Sequence, residues 1–119
     1  TPSPMTTPPP TTTSPPTTEP PKEWHKVTYF SGNDDTTTMW FSIKGNEWRV
    51  KFKYSSSSST YSFFSVFVYP RGETTMYVSH FSCDKRHCED TTYIYEGKGD
   101  YYFKVIAMGS WKLTVEDYY

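Results

Sequence analysis

Residues 47–54 read EWRVKFKY. Trp48, Val50, Phe52 and Tyr54 fall on one face of an extended chain, and Arg49, Lys51 and Lys53 fall on the other. Period two of this kind makes a half-buried strand with a solvated basic face. The same rhythm runs outward in both directions. SWKLTVED (110–117) sets Trp111, Leu113 and Val115 against Lys112, Thr114 and Glu116, and TTMWFSI (37–43) sets Met39, Phe41 and Ile43 against Trp40 and Ser42. YSFFSVFVY (61–69) is apolar on both faces, which predicts a central strand. EWHKVTYF (23–30), TMYVSHFS (75–82), TTYIYEG (91–97) and DYYFKVIAM (100–108) complete the set. SGNDD (31–35), KGN (44–46), PRGE (70–73), GKGD (97–100) and MGS (108–110) supply the turn residues between them, and SSSSST (55–60) reads as a polar loop. The fold expected is all-β: an antiparallel β-sandwich, jelly-roll-like, of about eight strands.

Ahead of the first strand stands TPSPMTTPPPTTTSPPTTEPP, residues 1–21, with nine of the chain's ten prolines. Proline fixes φ and lacks an N–H, so this stretch can form neither a helix nor a central strand. Its composition predicts an extended polyproline II arm of roughly 65 Å, at about 3.1 Å per residue. Ser/Thr/Pro tracts are also the composition of O-glycosylated stalks. The glycosylation candidates are Thr1, Ser3, Thr6, Thr7, Thr11, Thr12, Thr13, Ser14, Thr17 and Thr18. No N-x-S/T sequon occurs, so N-linked glycans are not expected. The chain therefore divides into a stalk or linker, 1–22, and a sandwich domain, 23–119. Thr1 is not a translation start, so the chain reads as a mature form with its export signal removed or as a piece of something longer.

With 119 residues there is room for one domain. A net charge of −1 gives no field to attract nucleic acid or an anionic membrane. No apolar run reaches the 18 or so residues that a membrane-spanning helix needs. Cys83 and Cys88 enclose DKRH, and in an exported chain such a pair reads as a disulfide closing a tight polar loop.

Five pieces of the domain carry a family resemblance. They are FSIKG (41–45), WRVKFKY (48–54), FSVFVYPRG (64–72), YEGKGDYYFKV (95–105) and WKLTV (111–115). In this order the chain resembles the bacterial pre-peptidase C-terminal domain and similar secreted jelly rolls of bacteria and archaea. The resemblance implies an accessory module of exported enzymes or surface proteins, related in fold to carbohydrate-binding modules. Such domains often carry D-x-D-L-Y in the middle strand, where this chain has FFSVFVY. A site built on those acids is therefore not expected here.

Few residues point to reaction chemistry. No serine stands in G-x-S-x-G, and His25, His80 and His87 match no spacing with known mechanics, so no catalytic residue and no enzyme activity is expected. SHFSCDKRHCED (79–90) gathers His80, Asp84, His87, Glu89 and Asp90 but lacks the paired spacing of a closed zinc site. It reads as a disulfide-pinned loop. Asp34 and Asp35 offer too few oxygens for calcium by themselves and read as an Asx turn. Neither metal nor cofactor is expected.

Aromatic side chains remain. Trp40 is out of phase with Met39, Phe41 and Ile43, which points it outward as a contact for sugar or protein. Tyr77, Tyr93, Tyr95, Tyr101 and Tyr102 are further platforms, whereas Trp48 and Trp111 belong to the core. Trp24, Val27 and Phe30 follow the stalk and are contact candidates for a neighbouring subunit. The first and last strands both read as edges open to pairing. Together these features describe an extracellular structural or interaction module at the cell surface. In its fullest form it is the repeating subunit of a glycosylated fibre whose N-terminal arm links neighbours. The alternative is a carbohydrate-binding accessory domain of an exported hydrolase. Expected partners are copies of itself or other surface proteins, and glycans, either attached to the stalk or bound by exposed aromatics.

Overall fold

A computed structural model describes residues 20–57 and 62–119. The ten glycosylation candidates Thr1, Ser3, Thr6, Thr7, Thr11, Thr12, Thr13, Ser14, Thr17 and Thr18, and most of the polyproline arm, lie outside the described residues. The described chain is all strand: β1 (Trp24–Gly32), β2 (Thr36–Thr37), β3 (Phe41–Ile43), β4 (Glu47–Ser55), β5 (Phe63–Pro70), β6 (Ser79–Cys83), β7 (His87–Ile94), β8 (Gly99–Met108) and β9 (Ser110–Tyr118).

Two antiparallel sheets face each other. One has the order β1-β9-β4-β7; in the other, β8-β5-β6 is flanked by β2 and β3, which both pair with β8. Period two places the inward residues where the sequence predicts them. Trp48, Val50, Phe52 and Tyr54 of β4 and Trp111, Leu113 and Val115 of β9 meet Phe64, Val66 and Val68 of β5 and Tyr101, Phe103 and Val105 of β8. The core is built largely from rings: Phe41, Trp48, Tyr101 and Phe103 pack with centroids 5.0–6.3 Å apart. Such pairs add to the area they bury when tilted or edge-on.

Several expectations are corrected. The closing strand β9 is not an edge: it lies between β1 and β4, paired along its length with both. β1 is an edge, with a register shift between Lys26 and Thr28. Residues 37–43 do not form one strand. Thr38 breaks it, donating its N–H to the Phe103 carbonyl at 2.9 Å while its hydroxyl accepts from the Phe103 N–H at 3.0 Å. Met39, expected inward, is consequently 73 % exposed. Tyr101 is buried in phase with Phe103 and Val105, so it is no surface platform. Its hydroxyl donates to the Gly97 carbonyl at 2.6 Å, which gives the G-x-G-x-Y piece a structural role at the start of β8. Burial raises the Tyr101 hydroxyl above the usual tyrosine range, helped by the charge on Glu96.

Two of the short crossings between the sheets carry local devices. Gly109 alone joins β8 to β9, at φ +134°, and a Cβ there would stand 2.6 Å from the Ser55 carbonyl oxygen. Only glycine fits both constraints. The second is the β6–β7 connection, where Cys83 and Cys88 form a disulfide with Cα atoms 6.3 Å apart. Because β6 and β7 belong to different sheets, the bond staples the sandwich as well as shaping the loop. Strand β7 starts at His87, four residues before the predicted 91–97 run, because it pairs with β4 from Ser55 onward. The closed loop is short, so Cys83→Ser with Cys88→Ser should cost about 2 kcal/mol, the low end for a disulfide. A lowered urea midpoint with unchanged slope checks this.

Candidate functional site

Alternation along β5 turns Phe64, Val66 and Val68 inward, each fully buried, and Phe63, Ser65, Phe67 and Tyr69 outward. No strand packs on that outer face, although Ser65 and Tyr69 on it are buried by their neighbours. Strand pairing then brings distant residues beside it: His80 and Lys104 flank Phe67, Tyr102 flanks Tyr69, and Met108 flanks Phe63. The chain after β5 returns over the same face and delivers Tyr77. It is held there by the Val78 N–H donating to the Val68 carbonyl at 2.8 Å and by the Tyr102 hydroxyl donating to the Glu73 carbonyl.

The result is a continuous aromatic surface. Tyr69 and Tyr102 stack at 5.5 Å and 20°. Tyr77 stands edge-on to both Phe67, at 5.3 Å and 68°, and Tyr69, at 6.3 Å and 88°. His80 lies against Phe67 at 4.5 Å, and its Nε2 is 2.6 Å from the Ser65 hydroxyl. That bond ties β6 to β5 across the face. At the Tyr102 end the Arg71 guanidinium sits 4.0 Å over the Trp40 ring. Thr37, Met39, Trp40, Arg71 and Tyr102 there line a shallow depression of about 230 Å³. Trp40 is 44 % exposed and Tyr77 is 52 % exposed.

The sheet opposite presents different chemistry. Its outer face carries Lys51, Lys53 and Lys112 beside Glu89 and Asp90, around a surface depression of about 500 Å³. Lysines and carboxylates there offset one another, which leaves little net field for a charged ligand. Next to it, Arg49 donates to Glu116 at 2.7 Å, Lys51 reaches the same oxygen at 3.2 Å, and the Trp24 ring covers Arg49 at 3.9 Å. Burial works against the charge on Glu116, but hydrogen bonds from Arg49 and Lys51 outweigh it and hold the carboxyl below its usual range. Burial likewise opposes the charge on Arg49, yet Glu116 and Tyr93 raise it overall. A carboxyl depressed on folding stabilises the fold at neutral pH and loses that contribution as pH falls through its folded value. Glu116→Gln should therefore be less stable than wild type near about pH 7, and the gap should close near about pH 2. Denaturant titration at both pH values checks the sign.

The contact candidates divide accordingly. Trp24 lies outward on the β1 edge, packed on Arg49, Tyr93 and Tyr118. Val27 and Phe30 pack against the chain's own core, with Phe30 against Phe41 and Phe103. Trp40, Tyr77 and Tyr102 gather on the five-stranded sheet, whereas Tyr93 and Tyr95 do not join them. Phe67 and Tyr69 complete the surface with His80, which the sequence assigns to a disulfide-pinned loop; for Phe67 and Tyr69 the two-sided apolar pattern of 61–69 is the available signal. Asp34 and Asp35 serve the fold. The Asp34 carbonyl accepts from the Trp111 indole at 3.0 Å and the Asp35 carboxylate from the Ala107 N–H at 2.9 Å. Among the described residues, no group of three or more His, Cys, Asp or Glu is placed to hold a metal ion, and no helix is long and apolar enough to cross a membrane. No protein-family model matches the chain, and no curated protein matches it either.

Proposed function

We propose that this chain is an extracellular structural and interaction module, the repeating subunit of a glycosylated surface fibre, and that it makes contact through the aromatic face of its five-stranded sheet. One observation carries the reading. Phe67, Tyr69, Tyr77 and Tyr102 form a contiguous ring cluster on which no strand packs, with Tyr77 and neighbouring Trp40 exposed and Phe67 and Tyr102 half-buried. Grouped, exposed apolar side chains of this kind mark contact sites. The disulfide suits an oxidising compartment, and the Thr/Pro tract suits a glycosylated stalk. The role is binding, on a secreted jelly roll of the pre-peptidase C-terminal type, with no catalytic step. Sedimentation velocity of native chain should show assemblies that grow with concentration. A chain that stays monomeric at high concentration contradicts the fibre.

A second reading rests on Trp40. Its exposed ring, with Arg71 stacked on it and the depression beside Tyr102, is the kind of platform on which a pyranose stacks. That suits a carbohydrate-binding accessory domain of an exported hydrolase. Retention on a polysaccharide, lost in Trp40→Ala, supports it.

A further inference from the structure

We propose that the aromatic face of the five-stranded sheet receives the Thr/Pro-rich arm, residues 1–21, of a second copy of this chain. The inference rests on the interaction-module reading above and names its partner.

The chemistry of the two surfaces is complementary. Nine prolines in 21 residues leave the arm short of backbone N–H donors, so regular strand addition to a sheet edge is closed to it. It keeps every carbonyl acceptor and presents pyrrolidine rings. Proteins that bind such segments use grooves lined by aromatic rings, and the preformed polyproline II shape lowers the entropic cost of docking. The face here has that relief. Tyr77 stands at 68° to Phe67 and 88° to Tyr69, so the rings form walls and clefts. A sugar platform would be flatter than these walls and clefts. The face also displays donors for carbonyl oxygens, the hydroxyl of exposed Tyr77 and the exposed Lys104 ammonium. Charge is compatible with this: Glu19 is the arm's one ionisable side chain and Lys104 is an exposed cation of the face, whereas Arg71 is paired with Asp100 at 3.5 Å.

Length agrees too. The eight residues of β5 run about 27 Å, which is about nine residues of polyproline II. The arm is more than twice as long as that. It joins β1 in the opposite sheet, so most of it can reach a neighbour. A contact between arm and face uses two different surfaces of the same chain. Such a contact is heterologous, and repeated from copy to copy without closing into a ring it builds a filament.

The test uses full-length chain and an unmodified synthetic peptide of residues 1–21. Titrated into dilute isotope-labelled chain, the peptide should shift amide signals at Phe67, Tyr77, Tyr102 and Lys104 and leave Tyr29 and Thr91, on the other sheet, unmoved. Excess peptide should dissociate preformed assemblies. Tyr77→Ser with Trp40→Ser, both exposed positions, should weaken self-association by about tenfold or more, while Thr91→Ala leaves it unchanged. Peptide shifts that are absent at millimolar concentration, or confined to the four-stranded sheet, overturn the inference. So does a monomer whose own arm already covers the face. If the face holds a β-linked glucan and ignores the peptide, the arm is the wrong partner but the interaction module stands. If the face binds neither and the chain does not associate, both readings fall.

Discussion

Trp48→Ala should lower folding stability by about 3–5 kcal/mol, among the largest losses any single truncation here can produce. Trp48 is 0 % exposed and sits where the two sheets meet, against Phe41, Tyr101 and Phe103. Removing the indole leaves a cavity that stiff neighbouring strands cannot close. It also removes the donor to the Glu96 carbonyl at 3.1 Å, which positions the turn ahead of β8. Domains of this size have about 5–15 kcal/mol in total, so the variant should be partly unfolded at ordinary temperature. Loss of the cooperative transition in urea, or a strongly lowered midpoint, is the expected readout. Trp48→Phe should recover more than half of the loss, because a ring still fills most of the site.

Asp117→Ala should cost about 3–5 kcal/mol, from two charge-assisted bonds removed and two amides stranded. Asp117 is 1 % exposed and continues the inward phase of Trp111, Leu113 and Val115. One carboxylate oxygen accepts the Lys44 N–H at 2.7 Å and the other the Gly45 N–H at 3.1 Å. Gly45 lies so close that a Cβ there would stand 2.1 Å from the Tyr118 carbonyl oxygen. The carboxylate thus clamps the turn between β3 and β4 onto the end of β9, joining the sheets at the end where the arm begins. Asp117→Asn keeps the shape and one good acceptor, so it should lose clearly less than Asp117→Ala. Equal losses for Asn and Ala would show that the bond to both amides is not the cause.

Most of the strand content was legible from sequence because period two is a local property. β4 and β9 stand where EWRVKFKY and SWKLTVED place them, and the inward residues are those the alternation picks out. Asp117 was not legible as a core residue. A carboxylate in phase reads as the end of a strand, and only the folded turn supplies its two N–H partners. Met39 was in phase yet lies outside, because Thr38 spends its backbone and hydroxyl on Phe103. Strand order was the hardest part. Nothing local says that β9 pairs with both β1 and β4, so the chain's last strand looked like an edge. The aromatic face was hidden for the same reason. Its residues come from positions 40, 67, 69, 77, 80 and 102, and only non-local pairing sets them side by side. The sequence did carry one trace, the apolar outer face of β5. That pattern predicts a central strand correctly, but the rings on its second face are covered by one another and by Tyr77 and Tyr102 instead of by a second layer.

The most direct measurement of the central claim is hydroxyl-radical footprinting of native chain, dilute and assembled, with the oxidised side chains located by mass spectrometry. The account predicts that Trp40, Phe67, Tyr77 and Tyr102 become protected on assembly, while Tyr29 and Tyr95 react equally in both samples. Protection confined to Tyr29, Tyr93 and Tyr95, with the face around Tyr77 as reactive as in dilute chain, would contradict it.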